Sequence, residues 1–275
     1  MNTERKPKIS IITCTYNSEK FLRGALESIE NQTYNNIEHI INDSHSTDKT
    51  LAIIHDYIQR NKGKYEIKLI QSDPMGVGNA LNVATQEATG DIIHYLHSDD
   101  YYLDQYSLEK VARLFNENPD VVWLTGNFVV ELNGRIIVLP QTHILQPSLE
   151  IALSIMNFIS HENTFMRTET VQQYGGFNET KDDVVEYSLW LKLMKEHQPL
   201  IVNDEFTVFI IHKGSTSTGS LFKFLKAIGR AYHTQRKEKV LPLLGYYTEK
   251  RYYKQLKIFI RKIANLRSML INRML

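Results

Sequence analysis

The sequence predicts an α/β fold, a mostly parallel sheet with helices on its faces. Over residues 8–119, β-branched runs of strand length alternate with amphipathic stretches of helical period. Further on, Asn133-Gly134 lies between two β-rich runs, a strong hairpin signal that makes the sheet mixed. The length of 275 residues, 42% hydrophobic and 23% charged, allows one large α/β domain, or one domain plus an appendage.

In chain order, "KISIITC" (8–14) is the first strand, and "SEKFLRGALESIENQ" (18–32) a helix with Phe21, Leu22, Leu26 and Ile29 at helical spacing. "IEHIIN" (37–42) is a second strand, and "STDKTLAIIHDYIQ" (46–59) a helix with Ser or Thr caps near its start. "YEIKLIQ" (65–71) is a third strand, "GNALNVATQEA" (78–88) a helix, and "DIIHYLH" (91–97) a fourth strand. "SLEKVARLFNENP" (107–119) reads as helix. "VVWLTG" and the two arms of "NFVVELNGRIIVLP" read as strands. "VVEYSLWLKLMKE" (184–196) is amphipathic helix, and "LIVNDEFTVFIIH" (200–212) is extended.

The net charge of +1 hides a division. From Leu221 onward there are 14 Lys/Arg against 2 Asp/Glu, so the preceding residues are net acidic. Such asymmetry suggests a basic tail with an anionic partner. In "YYKQLKIFIRKIANLRSMLINRML", Leu256, Phe259, Ile260, Ile263, Leu266 and Leu270 share one helical face, and the other positions are rich in Lys and Arg. A helix of this kind lies in a membrane interface or packs on its own domain with a solvated basic face. The expected division is therefore 1–218 for the α/β domain and 219–275 for a basic amphipathic helical extension. The lone Cys14 excludes an intramolecular disulfide and suits a reducing compartment. No apolar stretch reaches the ~20 residues that span a bilayer. A cytoplasmic protein is expected, peripheral on the inner face of the plasma membrane if the tail binds there.

In open α/β sheets ligands bind beyond the carboxyl ends of the strands. Asp43 follows "EHIIN", Asp48 lies in the next loop, and Asp99–Asp100 follow "IIHYLH". If the strands are neighbours, these carboxylates converge on one crevice. Adjacent carboxylates are tolerable when a divalent cation neutralises them, and hard oxygen ligands suit Mg²⁺ or Mn²⁺. Such a cation in turn holds a diphosphate. The simpler alternative is that the pair caps the next turn. Spacing alone goes no further than a metal-assisted site.

Three ordered blocks carry more. "ISIITCTYNSEKFLRGALESIENQTYNNIEHIINDSHSTDKT" resembles the N-terminal signature of family-2 glycosyltransferases, and "GVGNALNVATQEATGDIIHYLHSDD" and "YGGFNETKDDVVEYSLWLKL" resemble that family's second and third blocks. The resemblance runs from about residue 8 to 217. It implies the GT-A fold, a Rossmann-like mixed sheet flanked by helices, and looks most like the bacterial branch that builds surface polysaccharides.

That resemblance implies roles. Thr15 and Tyr16 contact base or ribose, Asp43 recognises the base, and Gly76, Asn79 and Asn82 line the donor. Asp99 faces ribose or metal, and Asp100 is the principal ligand of Mn²⁺ or Mg²⁺. The base that takes the acceptor's proton aligns with Glu186, where the family usually has Asp, and Asp182 and Asp183 are its substitutes. His161 and Glu162 in "SHENTFMR" are acceptor-side candidates, with Asp183. His97 stands where the family commonly has an acid, and Ser188 where it usually has Asp. Cys14, Trp123 and Trp190 read as core.

The function this implies is inverting transfer of a sugar from a nucleotide-diphosphate donor, UDP favoured, to a saccharide acceptor, lipid-linked by expectation. The departures in the third block leave one alternative, a degenerate relative that binds nucleotide-sugar or glycan as a partner subunit. A sugar nucleotidyltransferase would carry a glycine-rich basic loop that "TCTYNSEKF" lacks. The net acidic body disfavours nucleic acid as a partner.

Overall fold

The computed structural model describes residues 6–139, 157, 159–179, 185–212, 234, 237 and 238. Along the chain, β1 (Ile9–Thr15), α1 (Leu22–Glu30), β2 (Ile37–Asp43), α2 (Thr50–Arg60), β3 (Glu66–Gln71), α3 (Val77–Gln86) and β4 (Ile92–Tyr95) form the alternating first half. Then come β5 (Tyr101–Tyr102), α4 (Ser107–Glu117), β6 (Trp123–Thr125), β7 (Phe128–Leu132) and β8 (Arg135–Leu139). The last described elements are β9 (Thr164–Arg167), α5 (Thr168–Gln173), α6 (Tyr187–Met194), β10 (Leu200–Ile201) and β11 (Thr207–Ile210). The expected basic helix of residues 219–275 lies outside the described residues, apart from Thr234, Lys237 and Glu238.

The main sheet has the order β10-β6-β9-β4-β1-β2-β3. β1 pairs parallel with both β2 and β4, and β2 with β3. Helices cover both faces, so a central strand has no solvent side, and Ile9, Ile11 and Ile12 of β1 are all fully buried. Ile12, Ile40, Ile93 and Tyr95 point to the face covered by α3, α5 and α6. Ile9, Ile11 and Ile92 point to the face carrying Ile29 of α1 and α4. On α4 the buried residues Leu108, Val111 and Phe115 recur at three- and four-residue spacing, each worth about 1.5–3 kcal/mol.

Three features differ from the pattern of the sequence. Residues 164–167, with no strand predicted there, insert as antiparallel β9 between β4 and β6. The extended stretch 200–212 is two strands in two sheets: β10 lies beside β6, and β11 lies between β5 and β7 in a four-stranded sheet ending in the β7–β8 hairpin. The chain crosses over where Asn127 N–H and Nδ2 donate to the carbonyls of Asp204 and Asn203, at 2.8 and 3.1 Å. The third concerns the start of α2, where no Ser or Thr caps the helix. Asp48 Oδ1 accepts from Thr50 N–H at 2.9 Å instead. The expected hairpin is present, with Asn133 and Gly134 at φ 51° and 74° and Leu132 opposite Arg135.

At the end of the sheet away from the strand carboxyl termini, Glu38 is fully buried and joins β1, β2 and the α3–β4 turn. Its Oε1 accepts from Ser10 Oγ (2.6 Å), Thr89 N–H (2.6 Å) and Gly90 N–H (3.0 Å). Its Oε2 accepts from Lys8 Nζ at 2.7 Å and Thr89 Oγ1 at 2.9 Å. Burial works against ionisation, but these donors prevail and hold the carboxyl at about 2.

Candidate active site

The strands β1, β2 and β4 end on one edge of the sheet. β1 lies between the other two, so Asp43 and the Asp99–Asp100 pair flank it rather than stand on adjacent strands. Asp43 is fully buried. Its Oδ1 accepts from Thr15 Oγ1 (2.8 Å) and Ser46 Oγ (2.6 Å), and its Oδ2 from Ser46 N–H (2.8 Å). Tyr16, next along, is 60% exposed and so is not packing in the core. Asp48 plays a different part, accepting from the backbone of Glu19 and Thr50 and so tying the first loop to α2.

Gly76 precedes α3 at φ 111°, a conformation glycine adopts readily. Asn79 and Asn82, expected to line the donor, reach the loop after α5. Asn79 Nδ2 donates to Glu179 Oε2 at 3.1 Å. Asn82 donates to Glu179 Oε1 and the Phe177 carbonyl, and accepts from Phe177 N–H at 2.8 Å. These bonds pin residues 176–179 against α3.

The β4–β9 register, His94 opposite Phe165, sets residues 160–163 beside 96–100. Asn163, fully buried, accepts from Phe206 and Thr207 N–H at 3.0 and 2.9 Å and so seats β11 against this corner. β11 in turn reaches the acidic pair. Ile210 N–H donates to Asp100 Oδ1 at 3.0 Å, and His212 Nε2 lies 2.9 Å from Asp99 Oδ2 while its ring stacks on Phe21. Phe21 therefore faces this corner instead of joining the buried face of α1.

Asp100 is almost fully buried, and its Oδ2 has no hydrogen-bond partner. Burial raises its pKa well above the ordinary value, and the charges of Glu162 and Asp99 add to that. A buried carboxylate oxygen without a donor, beside two more acids, is an arrangement that a divalent cation relieves, so the residues fit one. Among the described residues no three His, Cys, Asp or Glu side chains converge as a metal cage.

Glu162 sits in the same corner. His94 Nε2 and Thr207 Oγ1 hold its carbonyl at 2.9 and 2.5 Å, and Ser160 Oγ donates to its carboxylate at 3.0 Å. The neighbouring His161 is buried against Tyr95, Phe177, Trp190 and the ring of His97. Burial pushes its pKa well below the usual histidine value. Glu186, immediately before α6, accepts from Asn157 Nδ2 at 2.7 Å. Its pKa is raised by burial and by the charge of Glu162, against the effect of His97. Ser188, one position into α6 beyond Tyr187, donates to Glu238 Oε1 at 2.5 Å. Asp182 and Asp183 lie outside the described residues. Cys14 is partly buried against the core, and desolvation pushes its thiol up to about 12, the state of an inert cysteine.

The fold thus brings Asp99, Asp100, His161, Glu162 and Glu186 to one corner. The partners His212, Ile210 and Asn157 were not legible as such. Nothing in "FIIHKG" or "IMNFIS" marks His212 or Asn157 as a partner of these acids.

A sheet with acids gathered at its carboxyl edge, one of them suited to a cation, has the layout of an α/β enzyme for phosphate-bearing ligands. The glycosyl transferase family 2 model matches residues 10–176, and the chain belongs to that family. It is 32% identical over 148 residues to the poly(ribitol-phosphate) beta-N-acetylglucosaminyltransferase TarS of Staphylococcus aureus, covering 53% of this chain but only 25% of TarS. It is 26% identical over 214 residues to a Campylobacter jejuni GalNAc(5)-diNAcBac-PP-undecaprenol beta-1,3-glucosyltransferase, covering 77% of this chain and 67% of that protein. Among solved structures, S. aureus TarS 1–349 in complex with UDP-GlcNAc superposes with a TM-score of 0.65 at 23% identity, over 85% of this chain and 66% of that one. The Pyrobaculum calidifontis mannosyltransferase PcManGT, in complex with GDP-Man and Mn²⁺, superposes with a TM-score of 0.59 at 17% identity, over 94% and 86%. The fold is GT-A. No helix among the described residues is long and apolar enough to cross a membrane.

Proposed function

We propose that the protein is an inverting hexosyltransferase that moves a sugar from a nucleotide diphosphate, UDP in the first instance, to a hydroxyl of a saccharide acceptor. The acceptor is lipid-linked, and the product is a bacterial polysaccharide or glycan. One observation carries the reading: the buried carboxylate of Asp100, whose Oδ2 has no hydrogen-bond partner, and the carboxylate of Glu186 both feel the charge of Glu162. A cation-suited acid and a base candidate thus flank one space.

In this reading Asp100, with Asp99 beside it, would hold Mn²⁺ or Mg²⁺, which would supply positive charge against the diphosphate of the leaving nucleotide. Tyr16, Thr15 and Asp43 receive the nucleoside. The Thr15 and Ser46 hydroxyls keep the Asp43 carboxylate in place, and Gly76 and Asn79 shape the far wall. An acceptor hydroxyl attacks the anomeric carbon as the bond from that carbon to the diphosphate oxygen breaks, and its proton passes to Glu186. Burial raises the pKa of Glu186, which makes it a better proton acceptor than an exposed carboxylate. His161 and Glu162 line the acceptor side, with Asp183 assigned there from sequence alone. Residues 1–218 form the transferase domain. The basic stretch 219–275 meets the anionic inner face of the membrane, at roughly 1 kcal/mol for each Lys or Arg near the surface.

The supporting likenesses are the UDP-GlcNAc complex of TarS, the GDP-Man and Mn²⁺ complex of PcManGT, and the undecaprenol-linked acceptor in the name of the C. jejuni relative. The test is thermal stabilisation by UDP, GDP and dTDP, each with and without Mn²⁺, in wild type and Asp100→Ala. A shift for one nucleotide that needs both metal and Asp100 supports the donor site. A folded protein that no nucleotide shifts would reject it.

A further inference from the structure

His94 is fully buried, has no part in the proposed reaction, and stands where the two sheets meet. It belongs to β4 of the main sheet. Its ring stacks on Phe165 of β9, with centroids 4.0 Å apart and planes 13° from parallel. Both ring nitrogens are engaged: Nε2 lies 2.9 Å from the Glu162 carbonyl oxygen, and Nδ1 lies 2.8 Å from Tyr102 Oη. We propose that His94, held as its Nε2–H tautomer by Tyr102, is a positioning residue that fixes Glu162 relative to Asp100.

The partners set the tautomer. A backbone carbonyl only accepts, so His94 Nε2 carries the proton. Burial pulls the pKa of His94 down to about 3, so the ring is neutral at physiological pH and Nδ1 keeps its lone pair. The Tyr102 hydroxyl donates to that lone pair. The other tautomer would set the Nε2 lone pair against the carbonyl oxygen, two acceptors 2.9 Å apart.

The Glu162 carbonyl takes a second bond from Thr207 Oγ1 at 2.5 Å, and Thr207 lies opposite Tyr102 in the β5–β11 pair. Tyr102, His94, Glu162 and Thr207 thus close a ring of contacts that joins the two sheets. Three residues along the same strand, Ile210 donates its N–H to Asp100 Oδ1 at 3.0 Å. At about 3.3 Å per residue, β11 keeps its attachments to Glu162 and Asp100 about 10 Å apart. The consequence rests on the reading of Asp100 as cation ligand and Glu162 as acceptor wall: the clamp holds that wall at a set distance from the leaving group. His94 and Tyr102 need not touch the substrate.

Ring nitrogens of the ¹⁵N-histidine-labelled full chain, and the correlation of the Glu162 carbonyl with the Asn163 amide in the ¹³C,¹⁵N-labelled chain, are recorded for wild type, Tyr102→Phe, His94→Gln and His94→Phe. The expected wild-type result is a protonated His94 Nε2 and an unprotonated Nδ1. Tyr102→Phe should shift the Nδ1 signal. His94→Phe keeps the stacked ring and deletes both bonds, so it should shift the Glu162 carbonyl signal. His94→Gln, whose amide N–H reaches the place of Nε2, should restore most of that signal. A protonated Nδ1 in wild type, or a Glu162 carbonyl that responds alike to Gln and Phe, overturns the clamp.

In sugar transfer, His94→Phe should lower kcat about ten-fold with the donor KM within about two-fold, because the acceptor side is displaced and the donor site is not. His94→Gln should recover most of the rate. Tyr102→Phe, the milder change, should lower kcat about two- to three-fold and carries the test where His94→Phe does not fold. An unchanged kcat in either folded variant overturns the positioning role. If wild type turns over no sugar nucleotide, the functional reading fails and the positioning role with it, while the spectra still decide whether the clamp exists.

Discussion

Replacing Glu38 by glutamine should destabilise the protein by about 3 kcal/mol at neutral pH and leave the distant site working. Glu38 is fully buried and its two oxygens accept five hydrogen bonds, one of them from the Lys8 ammonium. These donors lower its pKa from 4.5 to about 2. A folded pKa below the unfolded one means stability that is complete above pH 4.5 and is lost as pH falls through 2. A displacement of that size corresponds to about 3 kcal/mol. Glutamine keeps the shape but removes the charge, and its amide sets a donor against the Lys8, Ser10 or Thr89 donors.

The assay is thermal and urea unfolding of wild type and Glu38→Gln from about pH 2 to 8. At roughly 2–4 °C per kcal/mol for a domain of this size, the neutral-pH Tm should fall by about 6–12 °C. The two curves should converge as the wild-type carboxylate is protonated at acid pH. A variant within about 2 °C of wild type at neutral pH, or a gap that does not narrow at acid pH, would refute the reasoning that hydrogen bonding outweighs burial at Glu38.

Further outcomes concern the site and its scaffold. Asp100→Ala should abolish metal-dependent stabilisation by the nucleotide, read as loss of its ligand-concentration-dependent Tm shift. Glu186→Gln should lower kcat by about 10²–10⁴-fold and leave UDP affinity, measured by calorimetry, nearly intact. Gly78→Ala should cost roughly 1–3 kcal/mol in urea unfolding, because the new methyl would meet the Asn178 carbonyl, backbone that cannot swing aside. Asn82→Ala should release the Phe177 carbonyl and amide it pairs, seen as faster amide exchange over residues 176–179.

Much of this protein was legible in its sequence because the signals involved are local. The alternation of β-branched runs and amphipathic stretches gave the first half of the sheet its elements in order, and Asn133-Gly134 gave the hairpin through backbone conformations that those residues adopt readily. Asp99 and Asp100 stood out because two like charges directly after a buried strand call for a partner. Three ordered blocks then identified the family. What the sequence alone could not decide was anything that depends on one strand meeting another far away in the chain. β9 is four residues with no pattern of its own, and it is a strand because a gap between β4 and β6 accepts it. The extended run 200–212 divides between two sheets because Asn127 captures the carbonyls at its middle. Asn79 and Asn82 were assigned to the donor from a motif, and that both pair with Glu179, and Asn82 with Phe177, came only from the fold. Only the tertiary structure left Asp100 Oδ2, His161 Nε2 and Trp190 Nε1 without partners. Local sequence determines which elements form, and long-range packing decides which polar atoms within them are still to be satisfied.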